Sequence, residues 1–218
     1  MKKIISDLHS PLFAGISPEE LDTMLGCIGF HVNSYPKGAV IALEEEHIRH
    51  IGIVLEGSVD MVKEDLWGNR TLLLRFRKDE LFGETFACGA DTRSIVTYTA
   101  AKDSRIFFLP FEKILRSCSN ACVFHHRLIE NMVEVIAGTH LNLLHKLNII
   151  SKKSLREKIL TYLSLQAQEQ GSRDFSLPLK RLELAEYLCA DRSALTRELK
   201  NMKAEGLIDY DRNRFRIM

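Results

Sequence analysis

The sequence has none of the features typical of membrane-embedded or exported proteins. No apolar run is long enough to cross a bilayer, and Met1–Ile5 runs into Ser6 and Asp7 before a signal-peptide core could form. The five cysteines are an odd number without the spacing of a disulfide framework. We therefore expect a cytosolic protein in a reducing compartment.

The chain has no strong overall charge, and its net charge at pH 7 is +1. The charge is uneven along the chain, because residues 151–218 carry 14 Lys and Arg against 10 Asp and Glu. Residues 1–150 carry 16 against 19. The C-terminal part is thus the better candidate to meet a polyanion.

No set of residues typical of a catalytic centre stands out. Cys122 and His126 could form a nucleophile and base, but neither a base-orienting carboxylate nor an oxyanion loop accompanies them. Cys118, Cys122 and His126 follow at steps of four, a spacing that could hold zinc or iron on one helix face. Free cysteines near a helix start are more often small buried hydrophobic residues, so we predict neither an enzyme nor a metal site.

The first half of the chain predicts one short helix followed by many short strands. Ser17-Pro18 is typical of a helix start, and apolar residues follow at helical spacing to Ile28. Six β-rich runs, punctuated by glycines, then indicate an antiparallel β-roll of the jelly-roll kind. They are Ala39–Leu43, Ile51–Leu55, Ser58–Val62, Thr71–Phe76, Ile95–Thr99 and Arg105–Leu109.

A long amphipathic helix is predicted over about residues 120–150. Its seam positions alternate steps of four and three, which is the spacing of a coiled coil, and an isolated helix cannot bury such a stripe. We predict that the seam pairs two copies of the chain. The alternative is packing on the chain's own β-domain, since Leu128, Met132 and Val135 widen the apolar face. The seam comprises Ile129, Val133, Ile136, His140, Leu143 and Leu147. His140, the polar member of the seam, could fix register, ligate haem or switch with pH.

Residues 180–210 have the pattern of a helix-turn-helix. A first helix is expected to bury Leu182, Ala185 and Leu188, and Asp191 is a good N-cap for the second. The second helix is expected to bury Leu195, Leu199 and Met202. Its opposite face then presents Arg192, Ser193, Thr196, Arg197 and Lys200.

This exposed face suits recognition of double-stranded DNA. A recognition helix enters the major groove by its first turns, where arginine can donate two hydrogen bonds to guanine. Leu207–Ile217 alternate around Asp211-Arg212-Asn213 as a small hairpin, whose Arg214 and Arg216 would contact phosphates. We also assign Arg181 to the DNA-binding set. A helical hairpin with an ordinary charged face is the alternative.

With these motifs the sequence resembles the CRP/FNR family of bacterial regulators over nearly its whole length. Arg181–Leu199 is similar to that family's helix-turn-helix. Pro36–Gly38, Leu55–Val59 and Leu81–Glu84 resemble turns of its cyclic-nucleotide-binding β-roll. The resemblance implies base-reading positions at Arg192, Ser193 and Arg197. Cyclic-AMP-responsive members carry Glu where this chain has Ser193, so its preferred half-site should differ.

The resemblance also implies an effector pocket at Gly83, Glu84, Arg93 and Ser94. In cyclic-nucleotide members a Gly-Glu pair holds the ribose and a later Arg-Ser or Arg-Ala pair neutralises the phosphate. Counting back from Lys102-Asp103-Ser104 places Ser94, not Arg93, at the phosphate position, and Phe86 stands where those members have a small residue. The N-terminal cysteine cluster of iron-sulfur members is missing. The effector and any cofactor therefore remain open.

Together these features predict an α+β protein with a β-roll sensor at residues 1–118, a dimerisation helix at 119–150 and a winged helix-turn-helix at 151–218. We expect it to be a transcription regulator whose partners are near-palindromic double-stranded DNA, a second copy of itself and RNA polymerase, with no membrane. The alternative is a regulatory subunit whose β-roll gates a partner protein without binding DNA.

Overall fold

The computed structural model describes residues 8–115 and 123–218, and in Val123 only the backbone. A short 3₁₀ turn at Pro11–Phe13 precedes the first helix. The helices are α1 (Pro18–Ile28), α2 (Glu84–Ala87), α3 (Phe111–Leu115), α4 (Val123–Ile150), α5 (Leu155–Glu169), α6 (Arg181–Leu188) and α7 (Arg192–Ala204). The strands are β1 (His31–Tyr35), β2 (Val40–Ala42), β3 (His50–Glu56), β4 (Ser58–Glu64), β5 (Arg70–Arg77), β6 (Leu81–Phe82), β7 (Thr97–Ala100), β8 (Ser104–Pro110), β9 (Asp174–Ser176), β10 (Ile208–Asp211) and β11 (Arg214–Ile217).

The predicted α+β class is confirmed. The chain divides into two compact units, the first formed by residues 1–64 and 74–141 and the second by residues 65–73 and 142–218. The boundaries expected at residues 118/119 and 150/151 stay predictions.

Two antiparallel sheets form the first unit, with strand orders β1-β8-β3-β6 and β2-β7-β4-β5. Each of the six runs expected from the sequence contains a strand, although β7 begins at Thr97 and not at Ile95. The sequence pattern missed β1, an edge strand with mostly exposed residues, and β6, which has two residues. Between β3 and β4, Gly57 has φ +87° and lies so close to Asp103 that a Cβ would stand 2.4 Å from its carbonyl oxygen. Only glycine fits this turn.

Helices α1 and α4 contribute to the core of the same unit. Ser17 and Glu20 cap α1 reciprocally, as the Ser17-Pro18 start predicts. Leu21, Leu128 and Met132 belong to one buried cluster with residues of β3 and β8. One face of α4 therefore packs within its own unit, which is the alternative that the wide apolar face left open.

The seam positions predicted on α4 stay at least partly accessible. Val133 is 62% exposed and Leu147 is 58% exposed, and His140 is also exposed. The other three seam positions, Ile129, Ile136 and Leu143, are half-buried. Because burying a large apolar side chain stabilises by about 1.5–3 kcal/mol, this stripe has much to gain from a partner.

The second unit contains α5, α6 and α7 and a three-stranded sheet of order β10-β11-β9. The hairpin expected around Asp211-Arg212-Asn213 is confirmed, with Asp211 paired to Arg214. Strand β9 is a third strand that the sequence pattern did not predict. The assignment of Leu182 to the core is wrong, since Leu182 is 52% exposed while Leu184 is buried. Leu184 shares its helix face with Leu188 at a spacing of four.

Candidate nucleic-acid interface

Helix α7 is fixed at its start by a polar cap and along its length by an apolar face. The Asp191 carboxylate accepts hydrogen bonds from the backbone N–H groups of Ser193 and Ala194, both at 2.9 Å. These bonds, with that from the Ser193 hydroxyl, hold the pKa of Asp191 below its usual range. Leu195, Leu199 and Met202 are fully buried, as predicted.

The opposite face of α7 is an open, basic surface. An open cleft on this face is lined by Asp191, Arg192, Ser193, Thr196, Arg197, Lys200 and Asn201. Within residues 8–115 and 123–218, the guanidinium groups of Arg192 and Arg197 and the ammonium of Lys200 form no ion pair or hydrogen bond. These three cations can therefore meet an external ligand without breaking a hydrogen bond or ion pair, and Arg197 interacts with Asp191 only through its charge at longer range.

The two hydroxyl groups on this face already donate hydrogen bonds inside the protein. Ser193 Oγ donates to Asp191 Oδ1 at 2.5 Å, and Thr196 Oγ1 donates to the Arg192 backbone oxygen at 2.9 Å. Their lone pairs remain open to a donor, such as the amino group of a base. Their part in binding is consequently limited to accepting hydrogen bonds unless these contacts rearrange.

Arg156 joins α5 to α7. Its Nε lies 2.6 Å from Glu198 Oε1, and its two terminal nitrogens bind Glu205 at 2.7 and 2.8 Å. Arg156 could not be found from the sequence, because an Arg on one helix and two Glu on another have no characteristic linear spacing. The contact supports α7 from its inner side and leaves the basic face open.

The wing also carries arginines, but these are paired. Arg214 and Arg216 both bind Asp174, at 2.7 and 3.0 Å, and the two arginines lower the pKa of that carboxyl group.

Arg181, at the start of α6, lies over the rings of Tyr210 and Phe215, with its Cζ 5.2 and 5.7 Å from their centroids. Burial lowers the pKa of Arg181, so it is the least accessible cation of the predicted DNA-binding set.

In the first unit, Gly83 and Glu84 form the start of α2. Gly83 has a left-handed backbone with φ 84°, and Glu84 is buried. One Glu84 oxygen accepts a hydrogen bond from Thr85 Oγ1 at 3.2 Å, and Thr139 of α4 also interacts with this carboxyl group. Desolvation raises the pKa of Glu84. Phe86 is also buried.

Arg93 and Ser94 face different surroundings. Ser94 is fully buried, and its Oγ donates to the Val96 backbone oxygen at 2.7 Å. The Arg93 side chain is 55% exposed and lies 3.3 Å from Asp91 and 3.8 Å from Glu45. An anion that recruited Arg93 would have to compete with these carboxylates. The effector pocket thus stays a prediction.

The described part of the chain contains no group of three or more His, Cys, Asp or Glu residues placed to hold a metal ion. Cys118 and Cys122 of the zinc or iron hypothesis lie outside the described residues. His126, the third member of that set, is exposed and 3.4 Å from Glu130.

The capped basic helix, its neighbour α6 and the β-hairpin define a winged helix-turn-helix DNA-binding protein with a separate β-sheet sensing unit. Residues 32–121 match the model of the cyclic nucleotide-binding domain, and residues 157–218 match that of the Crp-like helix-turn-helix domain. The chain belongs to the CRP/FNR family of transcription regulators. As a member of that family it is a DNA-binding transcription factor with a ligand-sensing domain, and not an enzyme.

Individual relatives match nearly the whole chain. It is 26% identical to the cyclic AMP receptor protein of Thermus thermophilus over 199 residues, which cover 91% of this chain and 88% of that protein. The c-di-GMP-responsive global regulator CLP of Xanthomonas campestris matches with a TM-score of 0.73 at 16% identity, covering 92% of this chain and 99% of that one. A mutant of CooA from Carboxydothermus hydrogenoformans has a TM-score of 0.68 at 18% identity, covering 86% and 83%. These two structures support the fold.

Among the described helices, none combines the length and apolar character needed to span a bilayer.

Proposed function

We propose that the chain acts as a homodimer that places two copies of α7 in successive major grooves of a near-palindromic DNA site. Such grooves lie about 34 Å apart on one face of the duplex. Arg192 and Arg197 would read guanine edges, Lys200 would reach a phosphate, and Ser193 and Thr196 would accept hydrogen bonds. Arg181 and Arg214 would contact the backbone from the first helix and the wing.

The observation that carries this proposal is the availability of the α7 cations. Arg192 and Arg197 stand on the first turns of a capped helix, and no described residue pairs with either guanidinium. Each good bidentate pair with guanine contributes about 1–3 kcal/mol of discrimination against other bases. Two such residues in each copy suffice for a sequence-specific regulator.

The test is duplex binding with and without the two arginines. A cognate duplex is first enriched from a random-sequence pool, and its affinity is compared with that of a scrambled duplex for the wild type, Arg192→Ala and Arg197→Ala. Arg77→Ala removes the same charge from an exposed position on β5 and is the matched control. We expect each α7 variant to lose about 10- to 100-fold in the affinity ratio.

An unchanged ratio in both α7 variants would contradict the base-reading assignment. Absence of duplex binding, or binding insensitive to salt, would instead favour a regulatory subunit that gates a partner protein, because DNA binders release counterions and weaken steeply with salt.

The exposed seam of α4 supports the dimer. Val133→Glu or Leu147→Glu would place a charge in the paired seam and should shift the mass in analytical ultracentrifugation from two chains to one. Leu66→Glu is the control, since Leu66 is 98% exposed and lies outside the seam. Dimers of unchanged stability in both seam variants would contradict the assignment.

In this proposal the protein works in the cytosol, and a signal bound in the first unit shifts α4 and so reorients the two readers. RNA polymerase is the expected partner of the DNA-bound form, and co-binding on one duplex tests it. The signal is a small molecule or a redox change, and Gly83, Glu84, Arg93 and Ser94 are the residues expected to contact a small-molecule effector.

A further inference from the structure

The first unit contains a cleft that the expected effector residues do not account for. It has a volume of about 210 Å³ and opens among β1, the segment between β2 and β3, and parts of β6, β7 and β8. Gly83 contributes to its lining, but Glu84, Arg93 and Ser94 do not. The cleft is therefore distinct from the set of side chains expected to hold a cyclic nucleotide.

One side of the cleft is an aromatic wall. The Phe82 ring lies 5.2 Å from the Tyr98 ring and meets Phe108 edge-on at 6.3 Å between centroids. Gly52 creates the seat for Phe82, because a Cβ at Gly52 would stand 2.4 Å from the ring. Since the absent side chain makes room for the ring, the Cζ end of Phe82 packs against Gly52 of β3. This wall offers apolar surface to a flat ligand.

Imidazole rings line the opening. His31 stacks on Phe108 with 4.9 Å between centroids and 17° between planes, and it meets His50 edge-on at 5.2 Å. Partial burial and the neighbouring His31 lower the pKa of His50. His50 is consequently neutral near pH 7, so one of its ring nitrogens can donate a hydrogen bond and the other can accept one.

The permanent positive charge at the cleft is Arg49. Among the described residues its guanidinium has neither a hydrogen bond nor an ion pair. Glu46 also lines the cleft, but one of its oxygens accepts the backbone N–H of Leu43 at 3.0 Å. Arg49 therefore has its fork of donors available for a planar anion such as a carboxylate.

The lining favours an organic ligand over a metal ion. His31, His47 and His50 all reach the cleft, but no described group of three or more such residues has a metal-binding arrangement. His47 Nδ1 is engaged with Thr92 Oγ1 at 2.8 Å. The volume is below the range of about 300–1,000 Å³ that drug-sized ligands occupy, which favours a compound with a single ring.

We propose that this cleft binds a small aromatic carboxylate, with its ring against Phe82 and Phe108 and its carboxylate on Arg49 and His50. The inference rests on the proposed role of the first unit as a sensor and goes beyond it, because it adds a second ligand class in a cleft that Glu84, Arg93 and Ser94 do not line. Its direct readout is ligand binding, which does not require DNA.

The experiment uses benzoate as the probe and isothermal titration calorimetry on the full-length protein. Benzamide keeps the ring without the charge, and acetate keeps the carboxylate without the ring. We expect benzoate to bind in the millimolar range or tighter, and both analogues to bind at least about tenfold more weakly. Benzoate should also shift the imidazole NMR signals of His31 and His50.

Two arginine variants locate the site. Arg49→Gln should weaken benzoate binding at least about tenfold, whereas Arg93→Gln should leave it unchanged. Both residues are on the surface, so neither variant threatens the core. Phe108→Leu tests the aromatic wall, and retention of the NMR spectrum shows whether that variant folds.

Three results would overturn the inference. They are no benzoate binding at millimolar concentration, equal affinity of wild type and Arg49→Gln, or loss of binding in Arg93→Gln but not in Arg49→Gln. If benzoate fails while duplex binding still depends on Arg192 and Arg197, only the ligand inference is lost. If duplex binding fails while benzoate binds, the DNA-reading proposal is lost instead.

Discussion

Arginines lie on both the recognition helix α7 and the wing of the second unit. Those on the wing form ion pairs, whereas those on α7 form none with the described residues. Arg214 is 72% exposed, yet its guanidinium is held by Asp174. Arg192 and Arg197 on α7 have no such contact with any described residue. Counting arginines in the sequence therefore overstates how many are ready for DNA, and neighbouring carboxylates decide which are.

Strand β9 is the reason for the difference. It pairs with β11 so that Asp174 lies opposite Arg216, and its side chain reaches Arg214 as well. Exposed ion pairs contribute little to stability, so a phosphate can displace Asp174. We therefore expect the wing to be a weaker and less specific contact than α7, whose arginines would meet DNA without first losing a partner.

The sharpest test of this contrast is a pair of double variants. Removing Arg192 and Arg197 by Arg192→Ala with Arg197→Ala should reduce the ratio of cognate to scrambled affinity by about 100-fold or more, since two base contacts are lost. Arg214→Ala with Arg216→Ala should weaken both duplexes equally, because phosphate contacts carry no sequence information. Fluorescence anisotropy on both duplexes measures the ratio. If the wing variant also lowered the ratio of cognate to scrambled affinity, the wing would contribute to base recognition, and the contrast with α7 would be wrong.

The same unit also contains a buried cation, Lys146. Lys146 is 3% exposed and donates a hydrogen bond to the Leu72 backbone oxygen at 3.0 Å and another to that of Tyr187. Its ammonium lies 3.8 Å from the centre of the Tyr187 ring. Burial lowers its pKa from 10.5 to about 8. Lys146 therefore has no free face for DNA.

We expect this lysine to make stability depend on pH in the alkaline range. The unfolded chain binds more protons at this position between about pH 8 and about pH 10.5, so the free energy of unfolding should rise with pH across that window. Lys146→Met lacks the effect. Urea unfolding should give a wild-type minus variant difference that grows by about 2 kcal/mol between pH 7.5 and 10. A difference that stayed flat would contradict the burial argument, and the salt slope of DNA binding should be the same in both proteins.

Local signals predicted the regular elements well. The Ser17 and Asp191 caps, six of the eight strands of the two larger sheets and the buried face of α7 all follow from spacing and capping chemistry that acts within a few residues. The error at Leu182 has the same origin. Two apolar faces overlap in the short helix α6, and only the packed neighbours decide that Leu184, not Leu182, is inside.

Long-range pairing could not be predicted in this way. Asp174 meets Arg214 across 40 residues of sequence, and Arg156 meets Glu205 across 49. The cleft near Arg49 depends on rings from three strands and on the missing side chain of Gly52. Such sites have no periodicity along the chain, so they become visible only when the sheets are assembled.

A smaller effect is expected from removing the carboxylate that binds the two wing arginines. Asp174→Asn removes the negative charge that holds Arg214 and Arg216, and the two freed arginines should strengthen binding to any duplex by several-fold. The slope of log affinity against log salt should steepen by about 0.9 for each new phosphate contact. Arg214 and Arg216 lower the pKa of Asp174, so acidification to pH 5 should not mimic the variant. Glu64→Gln, at an exposed position on β4, is the charge-matched control. An unchanged slope in Asp174→Asn would show that the wing does not reach the backbone.

The smallest effect should come from the two hydroxyl groups of α7. Ser193 and Thr196 donate inside the protein, to Asp191 and to the Arg192 backbone, so DNA can use only their lone pairs. Ser193→Ala and Thr196→Ala should each change duplex affinity by about threefold or less, since a typical net hydrogen bond contributes about 0.5–1.5 kcal/mol. Anisotropy on a panel of single-base substitutions in the cognate duplex measures both affinity and preference. If Ser193→Ala changed the preferred base as strongly as Arg197→Ala, its hydroxyl must leave Asp191 on binding, and the free recognition helix would be less preorganised than its arginines imply.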